Sequence, residues 1–449
     1  MIYFKNLILL SLFIIMMVFA GCDSSTKSKT IKYSNGYVFN GVSFEEKSFV
    51  VKNGELNYSL SAKFDTIVDL KNKYIIPAFG DAHTHNFDDV AKFDSIYKAY
   101  IDEGTFYVQV LTNHYSNYLR LKNSLNTTGK IEAKFAHGGI TSTGGHPHSL
   151  YESQALNYSW RAMLDPTKKD EILSSKLKKD DAYYLIDSVS DISKNWGEIM
   201  SKNPDFIKLY LSNIVDRDKN IENNNIGSYG LSEDVLAKIA ELAQENNIRL
   251  IAHIETVSDF EIALKHNIKY FAHMPGYGGG IGDTKLEELV IPDSLLEKAA
   301  KNEIVITPTV SFAKYYAYKW DGTNMSLDTL LLKKKYAFLR RQLIRFKEAN
   351  ITLTLGTDQG FTTLAEEIND IKQINAFSNL ELLNILTTTP KIIFPDRKIG
   401  ELKNGYEATF LVLNDNPLEN MNSIGGIILR VKNGIILDKN FQNVVQQCI

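Results

Sequence analysis

The segment Asp81-Ala82-His83-Thr84-His85 closes an apolar run with two histidines two residues apart. In an extended chain residues i and i+2 point to the same side. His83 and His85 can therefore face one axis together and grip one ion. Further on, Phe206-Ile207-Lys208-Leu209-Tyr210-Leu211 sets a lysine inside an apolar strand. An unpaired lysine is costly to bury. Desolvation lowers its pKa, and a neutral amine can add CO₂ to form a carbamate, a bidentate anion able to bridge two divalent cations. The competing explanation is a lysine snorkelling from the strand end. Three further apolar runs each end in one metal-competent group: Leu250-Ile251-Ala252-His253, Phe271-Ala272-His273 and Leu355-Gly356-Thr357-Asp358. Taken singly, such a histidine is most simply a satisfied core residue. Taken together, His83, His85, Lys208, His253, His273 and Asp358 point to a metal centre.

These groups can meet only if several parallel strands end at one face. Strand-like runs at 74–79, 106–110, 133–136, 206–211, 250–253, 270–273, 304–309 and 352–357 supply them. Helical patterns at 90–102, 181–201, 232–246, 257–266, 293–302 and 327–349 separate most of these runs. This alternation predicts an α/β fold, a (β/α)8 TIM barrel over residues 74–390 with its ligand-bearing strand ends on the C-terminal face. Residues 31–69 read as short strands broken by Asn35-Gly36, Asn40-Gly41 and Asn53-Gly54, dipeptides that favour type I′ hairpin turns. Strands at 407–413, 424–431 and 435–437, with a turn at Asn433-Gly434, echo them. Both chain ends, 31–73 and 391–449, are expected to form one small β-sandwich domain.

The stretch 137–179 is too long for an ordinary βα loop and reads as a lid or binding loop. In it His146 follows Gly144-Gly145, where backbone can approach a ligand closely. His146, Tyr210 on the same strand face as Lys208, and Tyr277 after His273-Met274-Pro275-Gly276 are candidate substrate contacts. Against them stand a loop histidine with no partner, a barrel-filling aromatic and simple loop packing. Trp160 and Arg161 suit an aromatic or anionic group and a structural role equally. His114, His137, His148 and His266 read as bystanders.

The chain has 449 residues, 44% hydrophobic and 23% charged, with 50 basic against 53 acidic side chains and net charge -3. That balance gives no reason to expect a nucleic-acid partner. The run Lys333-Lys334-Lys335 reads as the wet face of a helix. With two cysteines, Cys22 and Cys448, a CxxC zinc knot is excluded. Lys5 followed by the apolar residues 7–20 reads as a secretion signal. Such a run reaches about 21 Å as a helix, short of the ~30 Å hydrocarbon core. Phe19-Ala20-Gly21-Cys22 resembles a bacterial lipobox. The resemblance implies cleavage before Cys22 and acylation of its thiol, with residues 23–30 as a tether. Two acyl chains anchor stably where one does not. The expected location is the bacterial cell envelope, lipid-anchored, facing periplasm or medium.

The order HxH, Lys, His, His, Asp resembles the amidohydrolase superfamily, in its carboxylated-lysine subtype. Pro77-Ala78-Phe79-Gly80-Asp81 and the tail Ile399-Gly400-Glu401-Leu402-Lys403-Asn404-Gly405-Tyr406-Glu407-Ala408 carry the likeness further. Gly138-Gly139-Ile140-Thr141-Ser142-Thr143-Gly144-Gly145-His146-Pro147 is similar to the Gly-rich loop of the imidazolonepropionase and Xaa-Pro dipeptidase-like members. Ala408-Thr409 departs from the usual Ala-Asp, away from the ligands. The likeness spans residues 31–437. It implies one divalent metal on His83, His85 and Asp358, a second on His253 and His273, and carbamylated Lys208 with a hydroxide between them. Zinc suits such donors. The metal-bound hydroxide would attack the carbonyl of an amide, dipeptide or cyclic amide, with Asp358 moving the proton to the leaving amine. Three alternatives stay open. One is a mononuclear deaminase or cyclic imidate hydrolase with His273 as acid or base. Another is an ester, lactone or phosphotriester hydrolase on the same metals. The last is a non-catalytic binding lipoprotein, against which the filled ligand set argues. The substrate would be a small molecule; whether the chain is a homo-oligomer stays open.

Overall fold

The computed structural model describes residues 29–59, 63–279, 285–320 and 324–438. The secretion signal, the lipobox with Cys22, and Cys448 lie outside the described residues. Eight parallel strands form, seven of them from the expected apolar runs: β1 (Phe79–Thr84), β2 (Thr105–Val110), β3 (Glu132–Phe135), β4 (Ile207–Tyr210), β5 (Leu250–His253), β6 (Tyr270–Phe271), β7 (Val305–Ile306) and β8 (Thr352–Leu353). Every residue of β1 and β2 is buried. A parallel strand covered on both faces is a nearly unbroken apolar run, which is how these strands read in the sequence.

The strands fall into two parallel sheets. β1, β2 and β3 pair in that order. β4 to β8 belong to a seven-stranded sheet completed at one edge by Gly139–Thr141 and Tyr183–Leu185. Gly139–Thr141 continues β3 past a kink at His137 and Gly138, both of positive φ, and sets Gly139 opposite Lys208. Backbone hydrogen bonds connect the sheets at both ends. The Asp205 amide donates to the Phe135 carbonyl at 2.9 Å, and the Ala82 amide to the Leu355 carbonyl at 2.8 Å. Helices cover the sheets. Capping boxes open two of them, Thr256 with Asp259 before Val257–Lys265 and Ser378 with Glu381 before Asn379–Ile393. The second helix lies against β1 so closely that a Cβ at Gly80 would sit 3.0 Å from the Pro390 nitrogen.

Strands within 31–77 and 410–436 meet in one eight-stranded mixed sheet. Phe410–Leu413 runs antiparallel between Tyr74–Pro77 and Ile427–Lys432, and Tyr74–Pro77 pairs with Ile31–Phe39. Its core centres on Tyr33, Phe49 and Phe410, with ring centroids 5.2 to 5.4 Å apart.

Four readings change. The run 74–79 is not the first barrel strand: Tyr74–Pro77 joins the terminal sheet, and β1 begins at Phe79. Asn35-Gly36 is a bulge inside Ile31–Phe39, not a hairpin turn. A Cβ on Gly36 would lie 2.4 Å from the Ile75 Cδ1, so a larger residue there would push that side chain aside. The 181–201 helix is shorter, Val189–Ser201, preceded by Tyr183–Leu185 as a strand. Lys335 is buried and donates to the carbonyls of Gly278 and Gly279, while Lys333 and Lys334 stay in water.

The terminal sheet is bolted to β3 by charge. Glu132 pairs with both Arg397 and Lys432, and Arg397 also holds Glu407 at 2.6 Å. The Lys432 amine lies over the Tyr107 ring at 4.1 Å. Burial, then the neighbouring Arg397 charge, pushes it down to about 7. Removing one partner of a buried ion pair strands the other charge, at a cost of roughly 3–5 kcal/mol. Because Lys432 can shed its proton, Glu132→Gln is expected to lower unfolding free energy by about 3 kcal/mol, the lower end of that range. Urea denaturation measures this; an unchanged midpoint would refute the bolt.

Candidate metal centre

The centre assembles at the C-terminal ends of the strands. His83 lies within β1 and is buried. Its Nδ1 faces the Ala272 carbonyl at 3.0 Å. His85 follows β1, with Nδ1 3.1 Å from the Thr112 carbonyl. A carbonyl only accepts, so each Nδ1 carries a proton and each Nε2 is the ring atom left to face the site. Those Nε2 atoms converge on Asp358, whose Oδ1 is 2.8 Å from His83 Nε2 and 3.2 Å from His85 Nε2. Asp358 adopts a left-handed backbone, φ 53°, which aspartate tolerates better than most residues. Its amide donates to the His83 carbonyl at 2.6 Å. Donor atoms of these three residues lie within 4.8 Å of one another, a spacing that can hold one cation.

His273 follows β6 and brings Nε2 to 3.6 Å from Asp358 Oδ2. Its Nδ1 lies 2.7 Å from the Thr309 hydroxyl, which itself donates to the Pro308 carbonyl. With its proton committed, the hydroxyl accepts from Nδ1 and leaves Nε2 free. His253 ends β5, its ring 4.6 Å from that of His273. Lys208 lies inside β4 with its Nζ 5.0 Å from the Tyr210 ring, and that Nζ is buried without a hydrogen-bond partner among the described residues.

Burial sets the charges. It pushes Lys208 down to about 7, against the pull of Asp358. It pushes His83 down to about 4, and His253 and His273 well below the usual imidazole range. For His85 burial also lowers, but the hydrogen bond and charge of Asp358 win and leave it raised. Burial alone would raise Asp358; the His83 and His273 charges and the hydrogen bonds from His83 and His85 hold it well below the usual range. The neutral imidazoles of His83 and His273, with His85 and one ionised carboxylate, are a donor set for a divalent cation. An orphaned amine among them fits the same description, since as a carbamate it would contribute oxygens.

The candidate substrate contacts lie beside this set. The His146 ring is 4.9 Å from His253 and 5.1 Å from Tyr210, and burial, then the His253 charge, pushes its imidazole down to about 3. Tyr210 shares a 2.5 Å hydrogen bond with the Thr112 hydroxyl. Tyr277 stacks on His273 at 4.0 Å. The bystanders are spoken for. His114 pairs with Asp88, His137 packs between Tyr118 and Phe135, His148 accepts from the Gly144 amide, and His266 pairs with Glu233. Sequence reading missed Glu255, whose Oε1 is 3.0 Å from His253 Nε2 and whose carboxyl burial pushes up to about 7. The i, i+2 rule that picked out His83 and His85 would have found it. It also missed Asp81, fully buried beneath the centre, which accepts from the His83 amide, the Tyr100 hydroxyl and Thr357.

The amidohydrolase family profile matches residues 74–437, and the chain belongs to that family. As a member it is a hydrolase acting on carbon–nitrogen bonds, with a TIM-barrel-like α/β fold. Among solved structures, an amidohydrolase is similar at TM-score 0.68 and 18% identity, over 91% of this chain and 98% of its own. A prolidase complexed with N-methylphosphonate-L-proline is similar at TM-score 0.67 and 16% identity, over 91% and 99%. The ochratoxinase of A. niger is similar at TM-score 0.67 and 15% identity, over 92% and 96%. No curated protein sequence matches the chain.

Partners that fix a ligand's tautomer are worth about 10–100-fold in metal affinity. Thr309→Val, which keeps the β-branch and removes the hydroxyl under His273, is expected to weaken metal binding by about that factor. Chelator competition measures it, and affinity equal to the parent would contradict the role given to Thr309.

Proposed function

We propose that the chain is a binuclear metal-dependent hydrolase cleaving the amide bond of a dipeptide, an acylated amino acid or a cyclic amide. The observation that carries this reading is the Lys208 Nζ, buried and without a hydrogen-bond partner among the described residues, within electrostatic reach of His83, His85, His253, His273 and Asp358. An amine so placed gains most by becoming an anion with two oxygens. His83, His85 and Asp358 would hold one cation, His253 and His273 the other, and carbamylated Lys208 both. When bound, such cations, zinc being the first choice, supply Lewis acidity and make water acidic enough to deliver a nucleophile near neutral pH.

The remaining work belongs to the chain. Asp358, kept ionised by the imidazoles around it, accepts the proton of the attacking water on Oδ2 and returns it to the leaving nitrogen. His146 and Tyr210, on the His253 side, and Tyr277, against His273, hold the substrate. The buried walls exclude bulk water. A mononuclear deaminase would leave Lys208 without a task. The likeness to a prolidase makes dipeptides the first class to try.

The same reading takes the two parallel sheets as one closed barrel, supported by the backbone bonds between β3 and β4 and between β8 and β1. It takes the terminal sheet as the folded-over β-sandwich common to such enzymes. It places the protein in a bacterial envelope, anchored through Cys22, on the strength of the Phe19-Ala20-Gly21-Cys22 segment. Among the described residues no helix is long and apolar enough to cross a membrane.

The test is reconstitution. Metal-stripped protein, screened on a dipeptide panel, is expected to regain activity with zinc plus bicarbonate and to remain nearly inactive with zinc in CO₂-free buffer. Lys208→Met is expected to stay inactive in both. Full activity without bicarbonate would overturn the carbamate, and the same activity in Lys208→Met would overturn the bridging role.

A further inference from the structure

We propose that the substrate carries an aromatic or bulky apolar group beside the scissile bond, seated on a wall of rings that climbs from the metal centre to the surface. The proposal rests on the reading of this centre as an amide hydrolase, and it adds what that centre selects. The wall starts at Tyr277, stacked on the ligand His273 at 4.0 Å. Tyr277 meets Phe312 at 5.7 Å, Phe312 meets Tyr315 at 5.9 Å, and Tyr315 meets Phe361 edge-on at 5.6 Å. Exposure rises along this line, from 5% at Tyr277, through half-buried Phe312 and Tyr315, to 59% at Phe361.

The sequence explains why these rings stand where they do. Phe312–Tyr315 is a short helix in the loop that follows β7, and Phe361 comes three residues after the ligand Asp358, beyond β8. Both loops leave the C-terminal ends of their strands, the face on which substrates arrive. A single exposed apolar side chain is ordinary. Phe361 is not isolated: it ends a continuous path of ring contacts that reaches the metal centre. More apolar surface adjoins the Phe312–Tyr315 loop, which also carries Met325. Trp160 is 53% exposed and Met325 47%, and the two loops that carry them touch through Arg161 Nη2 and Met325 Sδ at 3.9 Å. The cation nearest in sequence to these rings, Lys314, is neutralised by Asp370 at 3.2 Å and Glu366 at 3.6 Å. The wall therefore offers ring edges and faces, to which an apolar or aromatic group is the complement.

Calorimetry on the full-length, zinc-loaded chain tests this without turnover. Benzylphosphonate and methylphosphonate share a metal-seeking head and differ in the ring. The benzyl compound is expected to bind at least ~10-fold more tightly, a modest figure for a buried aromatic group. Phe361→Ala is expected to bring the affinity ratio down toward one. Val42→Ala, an exposed apolar change in the terminal-sheet hairpin, is expected to leave the ratio as it was. Equal affinities for the two compounds in the parent, or no binding of either, would overturn the proposal. So would a Phe361→Ala variant that changes only oligomeric state and keeps the ratio. A benzyl preference that Phe361→Ala removes, in a protein that hydrolyses no N-acetylated amino acid or dipeptide, would uphold the wall and sink the amide reading.

Discussion

One carboxylate organises this molecule's chemistry. Asp358 is the ionised acid toward which His83, His85 and His273 all turn their Nε2 atoms. Bringing those groups together requires the end of β8 to lie directly against β1. The backbone does this without room to spare: a Cβ on Gly356 would stand 2.5 Å from the His83 nitrogen and 2.7 Å from the Thr307 methyl. Asp81 locks the same junction from below, accepting from the His83 amide and from Thr357 on the far strand. The site's geometry is thus set where two strands from distant parts of the sequence touch.

Burial does the rest. A cluster of four histidines, a lysine and a carboxylate would repel itself if fully protonated. Desolvation favours the neutral imidazoles of His83, His253 and His273 and the neutral Lys208 amine, the state a metal ligand needs. Hydrogen bonds on the far side of three of the rings, those of His83, His85 and His273, then fix which nitrogen faces the site. Backbone carbonyls serve His83 and His85, and a threonine hydroxyl serves His273. These partners are residues of no distinctive type, so they carry function through position alone.

That difference explains how far the sequence could be read. His83, His85, Lys208, His253, His273 and Asp358 were legible because each interrupts or ends an apolar run, and a polar group there needs a reason. The same apolar runs could not say which sheet they enter. Tyr74–Pro77 and Phe79–Thr84 are both buried, follow one another without a polar break, and belong to different sheets. Thr309 and Thr112 left no signal, because any residue offers a carbonyl and threonine is common. Lys335 did leave one: it is in phase with Phe338, Leu339, Gln342 and Phe346 on the buried stripe of Thr329–Glu348. Read as a charge run it looked wet; read by helical period it faces inward and ties down the loop beyond Tyr277.

The central claim is that Lys208 completes a two-metal centre as a carbamate. Native mass spectrometry of the zinc- and bicarbonate-loaded chain tests it most directly. The account predicts a species carrying two metal ions and one CO₂ adduct, with ions and adduct lost together in Lys208→Met. A chain that binds a single ion, carries no adduct and is unchanged by that substitution would contradict it.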